Sequence, residues 1–184
     1  PLRDESSSFR SRKIWEPCST DSGSSAMDKI IVGIAEGKIA RGNQVLVSYA
    51  LGSCVGVCLY DRQEHVAGMA HIILPGREYS AHWDNAYKFA DEGIHELMNQ
   101  MKSQGARPAG LIAKIAGGAR MFGASAGKMD IGQQNVAAVR KSLAREGIRL
   151  VAQDTGHDYG RTILFYAENG RLEVNTVRHT AVVL

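Results

Sequence analysis

From residue 27 onward the apolar positions fall into short runs and helical spacings; before it they follow neither. KIIVGIAEG (29–37) and NQVLVSYAL (43–51) are β-rich runs, while CVGVCLY (54–60) and VAGMAHIIL (66–74) flank the polar turn DRQEH (61–65). Across 83–102 the apolar residues Ala86, Phe89, Ala90, Ile94, Leu97, Met98 and Met101 repeat at helix spacing, and Gly105 stands where a helix stops. AGLIAKIAGGA (109–119) reads as a buried strand entering a glycine corner. A second helix spans 130–147, with Asp130 as N-cap and Gly147 as stop. IRLVAQDTG (148–156) is a strand, and 161–177 is a hairpin predicted to turn at Asn169-Gly170 with type I′ geometry. Strands, helix, strand, helix, then three or four strands make a layered α/β protein with a mixed sheet and two main helices, rather than a strict βαβ repeat.

Residues 1–26 differ in kind. Serine is dense and apolar periodicity is absent, so the segment is expected to be a disordered or non-native extension before a single domain over 27–184. Composition narrows the function classes. A net charge of +3, without a Lys/Arg run interleaved with aromatics, gives no argument for nucleic acid. No apolar run approaches the roughly 18–20 residues of a membrane span. Three cysteines, an odd count without framework spacing, favour a reduced, cytoplasmic protein.

The chemistry concentrates at Cys54 and His71. If the 61–65 turn pairs Tyr60 with His65, the register sets Cys54 directly opposite His71 on one face; a one-residue slip would separate them. An adjacent imidazolium lowers a thiol's pKa and then protonates a leaving amine. The Gly52-Ser53 corner before Cys54 offers backbone N–H groups to an oxyanion, and Ser48 is a candidate to orient the imidazole. Cys54 could equally be core packing, as Cys58 is read to be. A Cys54–Cys58 disulfide is excluded by a strand separation of roughly 13 Å, beyond the roughly 7 Å limit. The same spacing weakens a zinc site, and no metal is expected. The segment 117–129 lacks the phosphate-loop spacing, since three residues separate Gly123 from Gly127 and Met129 replaces the hydroxyl.

ALGSCVGVCLYD, GMAHIILP, AKIAGGARMF, IGQQNV and AQDTG follow the order and spacing of the CheD family. The chain resembles these chemoreceptor glutamine deamidases over about residues 28–177. The resemblance implies a fold similar to the catalytic domain of deamidating toxins, and hydrolysis of receptor glutamines to glutamate and ammonia without a cofactor. It places the nucleophile on Cys54 and the base on His71. The family's third residue, usually threonine, falls on Ser48, which keeps the hydroxyl but loses the methyl that restricts the rotamer. His157 stands where the family often has a second glycine. Gly117 and Gly118 form a corner that either shapes the substrate groove or serves as a tight turn. Chemoreceptor cytoplasmic helices are the implied substrate, and a CheC-type phosphatase is a further implied partner. A non-catalytic scaffold, a receptor methylesterase and a transglutaminase remain alternatives, because a fold alone does not fix its chemistry.

Overall fold

The computed structural model describes residues 27–82, 84–121, 130–177 and 180–184. The extension expected over 1–26, and Gly123, Gly127 and Met129, lie outside the described residues. The strands are β1 (Asp28–Ile31), β2 (Gly37–Arg41), β3 (Gln44–Leu51), β4 (Val55–Asp61), β5 (Val66–Ile72), β6 (Leu111–Gly117), β7 (Arg149–Thr155), β8 (Arg161–Tyr166), β9 (Leu172–Asn175) and β10 (Val182–Val183). The helices are α1 (Ala90–Ser103) and α2 (Ile131–Arg145).

Two five-stranded sheets stack face to face. The first runs β1-β3-β8-β9-β10 and the second β2-β5-β4-β6-β7. Leu46, Leu51, Cys58, Met69, Ile163 and Phe165 fill the space between them. On its outer face the second sheet packs Val57, Leu59, Ile72 and Ile115 against Ile94, Leu97, Val139 and Leu143 of the two helices. The result is a layered α/β sandwich. Every position of β4 and β5 is buried, because these central strands are covered on both faces.

Three expectations change. The strand β2 was not distinguished from its neighbours in the sequence. The first helix begins at Ala90 rather than in the low eighties: Lys88 O accepts from the N–H groups of Ile73 and Leu74, and Ala90 N donates to Leu74 O. The chain before α1 is thereby drawn against the end of β5, with Phe89 extended. The β8–β9 turn is not type I′, which needs positive φ at both central residues; Gly170 has φ 69° but Asn169 is not among the residues with positive φ. Instead, a five-residue loop closes through Gly170 N donating to Tyr166 O.

The hairpin register also differs. Asp61 pairs with Val66 across the loop 62–65, so His71 lies opposite Gly56, not Cys54. Asp61 fastens the loop in this register: its Oδ1 accepts from the N–H groups of Gln63 and Glu64, and the turn lies one residue later than expected. The shift is two in pair sum, so faces are conserved. Cys54 stays on the inter-sheet side and packs against that core.

Candidate active site

The site forms where the chain crosses between sheets. β3 belongs to the first sheet and β4 to the second, and residues 52–54 connect them. A β-bulge lies just before this crossing: Ser48 pairs with Ile163 and Leu51 with Arg161, three steps on β3 against two on β8. Ala50 takes φ 55° to accommodate it. The bulge resets the alternation, so Ser48 and Leu51 both point inward while Tyr49 and Ala50 face solvent.

His71, only 2% exposed, meets fully buried Ser48 from the opposing sheet, with Ser48 Oγ 2.9 Å from His71 Nδ1. Ser48 Oγ is also 3.0 Å from Val32 O. A carbonyl can only accept, so the hydroxyl proton goes to Val32 O and the hydroxyl oxygen accepts from Nδ1–H. This sets the neutral tautomer with its lone pair on Nε2. Among the described residues Nε2 has no hydrogen-bond partner. The His71 backbone is fixed as well: its O accepts from Ala35 N at 3.1 Å and its N donates to Glu36 O at 2.9 Å.

The electrostatics depart from an ion pair. Burial lowers the His71 pKa from 6.5 to about 4. Burial also raises the Cys54 thiol, partly offset by a hydrogen bond from its own backbone N–H. Both shifts favour the uncharged forms, thiol and neutral imidazole, over the thiolate–imidazolium expected from proximity alone. Cys58 sits on the same strand line, fully buried, and burial raises its pKa much further.

The glycine corner is a structural partner of the loop that carries Cys54. Gly118 N donates to Cys54 O at 2.7 Å and Ala119 N to Gly52 O at 2.8 Å. Gly117 has φ 117°, and a Cβ there would stand 2.2 Å from Cys54 O, so only glycine permits the approach. These two donors are committed to the loop's own carbonyls, so Gly117 and Gly118 act by holding residues 52–54. The N–H groups of the Gly52-Ser53-Cys54 corner remain the candidate oxyanion donors.

Sequence reasoning missed several supports. Val32 O orients Ser48, and Ala35 and Glu36 pin His71. Arg161, 1% exposed, reaches Asp154 Oδ1 at 2.9 Å and ties β8 to β7 across the two sheets. His157 has φ 63° and stacks on Tyr159 at 5.1 Å; it occupies a left-handed position, which glycine adopts most readily. The AQDTG and IGQQNV motifs were the available signals for Asp154 and for α2.

A groove of about 760 Å³ adjoins the crossing loop, walled by Tyr49, Met121, Tyr159, Arg161 and Asn175. Among the described residues no group of three or more His, Cys, Asp or Glu could hold a metal ion. No helix among them is long and apolar enough to cross a membrane.

A family model described as "CheD chemotactic sensory transduction" matches residues 73–176. A Caldanaerobacter subterraneus subsp. tengcongensis protein named "Probable chemoreceptor glutamine deamidase CheD" is 47% identical over 150 residues, 80% of this chain and 93% of that one. A Syntrophomonas wolfei subsp. wolfei protein of the same name is 43% identical over 156 residues, 83% of this chain and 97% of that one. Among solved structures, Bacillus licheniformis hypothetical protein YfiH overlaps at TM-score 0.42 and 16% identity, over 65% of this chain and 49% of that one.

Proposed function

Because this chain belongs to the CheD family, we propose that it deamidates glutamines on the cytoplasmic helices of chemoreceptors, with Cys54 as nucleophile and His71 as base. The observation that carries this reading is the His71 ring itself. It is buried, bonded to Ser48 through Nδ1 and without a partner at Nε2 among the described residues, and Cys54 packs against the same inter-sheet core.

The mechanism follows from that resting state. His71 Nε2 takes the Cys54 thiol proton as sulfur attacks the glutamine carboxamide carbon. Backbone N–H groups of the 52–54 corner receive the developing oxyanion. The imidazolium, its Nδ1–H anchored on Ser48, passes the proton to nitrogen; the C–N bond breaks and ammonia departs. Water then gives a proton to Nε2 and attacks the thioester carbon. The C–S bond breaks, glutamate forms and the thiol regains its proton. Burial keeps His71 unprotonated at neutral pH, the form that can accept a proton.

This reading puts the protein in the cytoplasm, where the receptor helices are, and keeps a CheC-type phosphatase as a further partner to be sought by co-purification. The test is incubation with receptor cytoplasmic fragments and mass spectrometry. Each deamidated glutamine gains roughly 1 Da, the difference between an amide and an acid, and the gain is lost with Cys54→Ala. An undiminished gain with that variant would remove Cys54 as nucleophile.

A further inference from the structure

Helix α2 carries a buried amide that the mechanism above does not use. Its N-terminus is capped by Asp130, whose side chain accepts from Gln133 N at 2.9 Å. The helix comes unusually near the glycine corner because residue 132 is glycine: a Cβ there would stand 2.5 Å from Ala119 O and 2.7 Å from Gly118 O. One turn on, Asn135 is fully buried. Its Nδ2 donates to Ser53 O at 2.9 Å and to Ile73 O at 3.0 Å. Both partners are carbonyl oxygens, which only accept, so the orientation of the amide is settled by its surroundings.

Those two carbonyls flank the chemistry. Ser53 immediately precedes Cys54, and Ile73 follows His71 by two residues. They belong to different segments, the crossing loop and the end of β5, and Asn135 bridges them. We infer that Asn135 is a positioning residue that clamps the nucleophile's loop to the histidine's strand, an inference that rests on the Cys54–His71 reading.

Two further observations support the clamp. The backbone ladder between β4 and β5 ends at Val55 and Ile72, so neither Ser53 nor Ile73 is held to the other by strand pairing. Asn135 supplies that link with the two hydrogens of one nitrogen. Its Oδ1, in contrast, is buried and has no hydrogen-bond partner among the described residues. Leaving a buried acceptor unmet is destabilising, so an amide placed here for its two donors suits geometry rather than stability.

The clamp is tested without any receptor by alkylating Cys54 with iodoacetamide as a function of pH, beside kcat and KM for receptor fragments. Asn135→Ala removes both donors. Asn135→Leu keeps the volume of the core without setting a charge against the two carbonyls, and covers the case in which the alanine variant does not fold. Val139→Ala, one turn further along α2 and equally buried, is the stability control. We expect kcat to fall roughly ten- to hundredfold with KM little changed, as for a small misplacement of reacting groups. The alkylation profile of Cys54 should shift in both Asn135 variants, and Val139→Ala should leave it unmoved. A folded Asn135 variant with kcat and alkylation within twofold of the parent overturns the proposal. So does an equal shift in Val139→Ala, or failure of both Asn135 variants to fold, either of which makes the residue a structural one. If the parent lacks deamidase activity but alkylation still responds to Asn135 alone, the clamp stands and the deamidase reading falls.

Discussion

The β4–β5 hairpin has two ends that use similar groups to opposite effect. At the turn end, Tyr60 Oη lies 3.1 Å from His65 Nδ1 and donates to Glu168 O at 3.1 Å, while Asp61 accepts from three backbone N–H groups. At the other end, Ser48 Oγ lies 2.9 Å from His71 Nδ1 and donates to Val32 O. Each end has a histidine, a hydroxyl and a backbone carbonyl. The turn end is open to water, and its imidazole is exposed. The other end is shut between two sheets, and its imidazole keeps one nitrogen bare. Burial leaves the same small set of groups with a bare ring nitrogen at one end and a fastened turn at the other.

The largest effect that separates the two ends is loss of the nucleophile. Cys54→Ala should abolish receptor deamidation, whereas Cys58→Ala, four residues along the same strand line, should keep activity within about twofold and lose stability alone, by roughly 1 kcal/mol for a small buried side chain. Mass spectrometry of receptor fragments and chemical denaturation read the two outcomes. Next comes the imidazole. His71→Gln should lower kcat by roughly 10²–10⁴-fold, the usual worth of a positioned general base, while His65→Gln should leave it near the parent value.

The same histidine predicts a pH effect on stability. Its pKa is lower folded than unfolded, so between 6.5 and about 4 the unfolded chain binds more protons. The stability it permits is complete above 6.5 and falls as pH drops towards 4, by up to about 3 kcal/mol at 1.36 kcal/mol per unit. Urea titrations across that window should show the slope, and His71→Gln should flatten it.

A smaller effect is expected at Ser48. Ser48→Ala leaves Nδ1–H buried without its acceptor, and turnover should fall about tenfold, with receptor binding retained. Ser48→Thr, the residue usual in the family, should retain activity. Full activity in the alanine variant would detach Ser48 from the site. At the turn end the expected change is in stability alone. Burial would raise the Asp61 pKa, but hydrogen bonds from the N–H groups of Arg107, Gln63 and Glu64 outweigh it and hold the carboxyl low. Asp61→Ala should therefore cost about 1–3 kcal/mol by leaving those donors unmet, and its pH-dependent share is lost only as acid protonates the carboxyl. Deamidation per folded molecule should not change.

Much of this was legible in the chain. Helix spacing identified Ala86, Phe89, Ala90, Ile94, Leu97, Met98 and Met101; all but Ala86, which is half-buried ahead of α1, are buried. Asp130, Gly105 and Gly147 stand at helix ends as their side chains suggest. The register of β4–β5 was not legible, for a physical reason. With both faces buried, neither strand alternates polar and apolar residues, so nothing local fixes the pairing. The folded sheet set it, with β4 paired to β6 and β5 to β2, and the turn is fastened by an aspartate whose hydrogen bonds form only when the loop is folded.

By itself the sequence determined which groups are available: a thiol after a Gly-Ser corner, a histidine in an apolar strand, a serine at the end of the preceding strand, and glycines where backbones meet. Residue type and spacing are local properties, and they carry that much. The tertiary structure alone decided their states. Ser48 and His71 lie 23 positions apart on different sheets, and only stacking those sheets places one against the other. Desolvation, which keeps His71 neutral and Cys54 a thiol, depends on everything packed around them. It is a property of the closed interface and of no single segment of the chain.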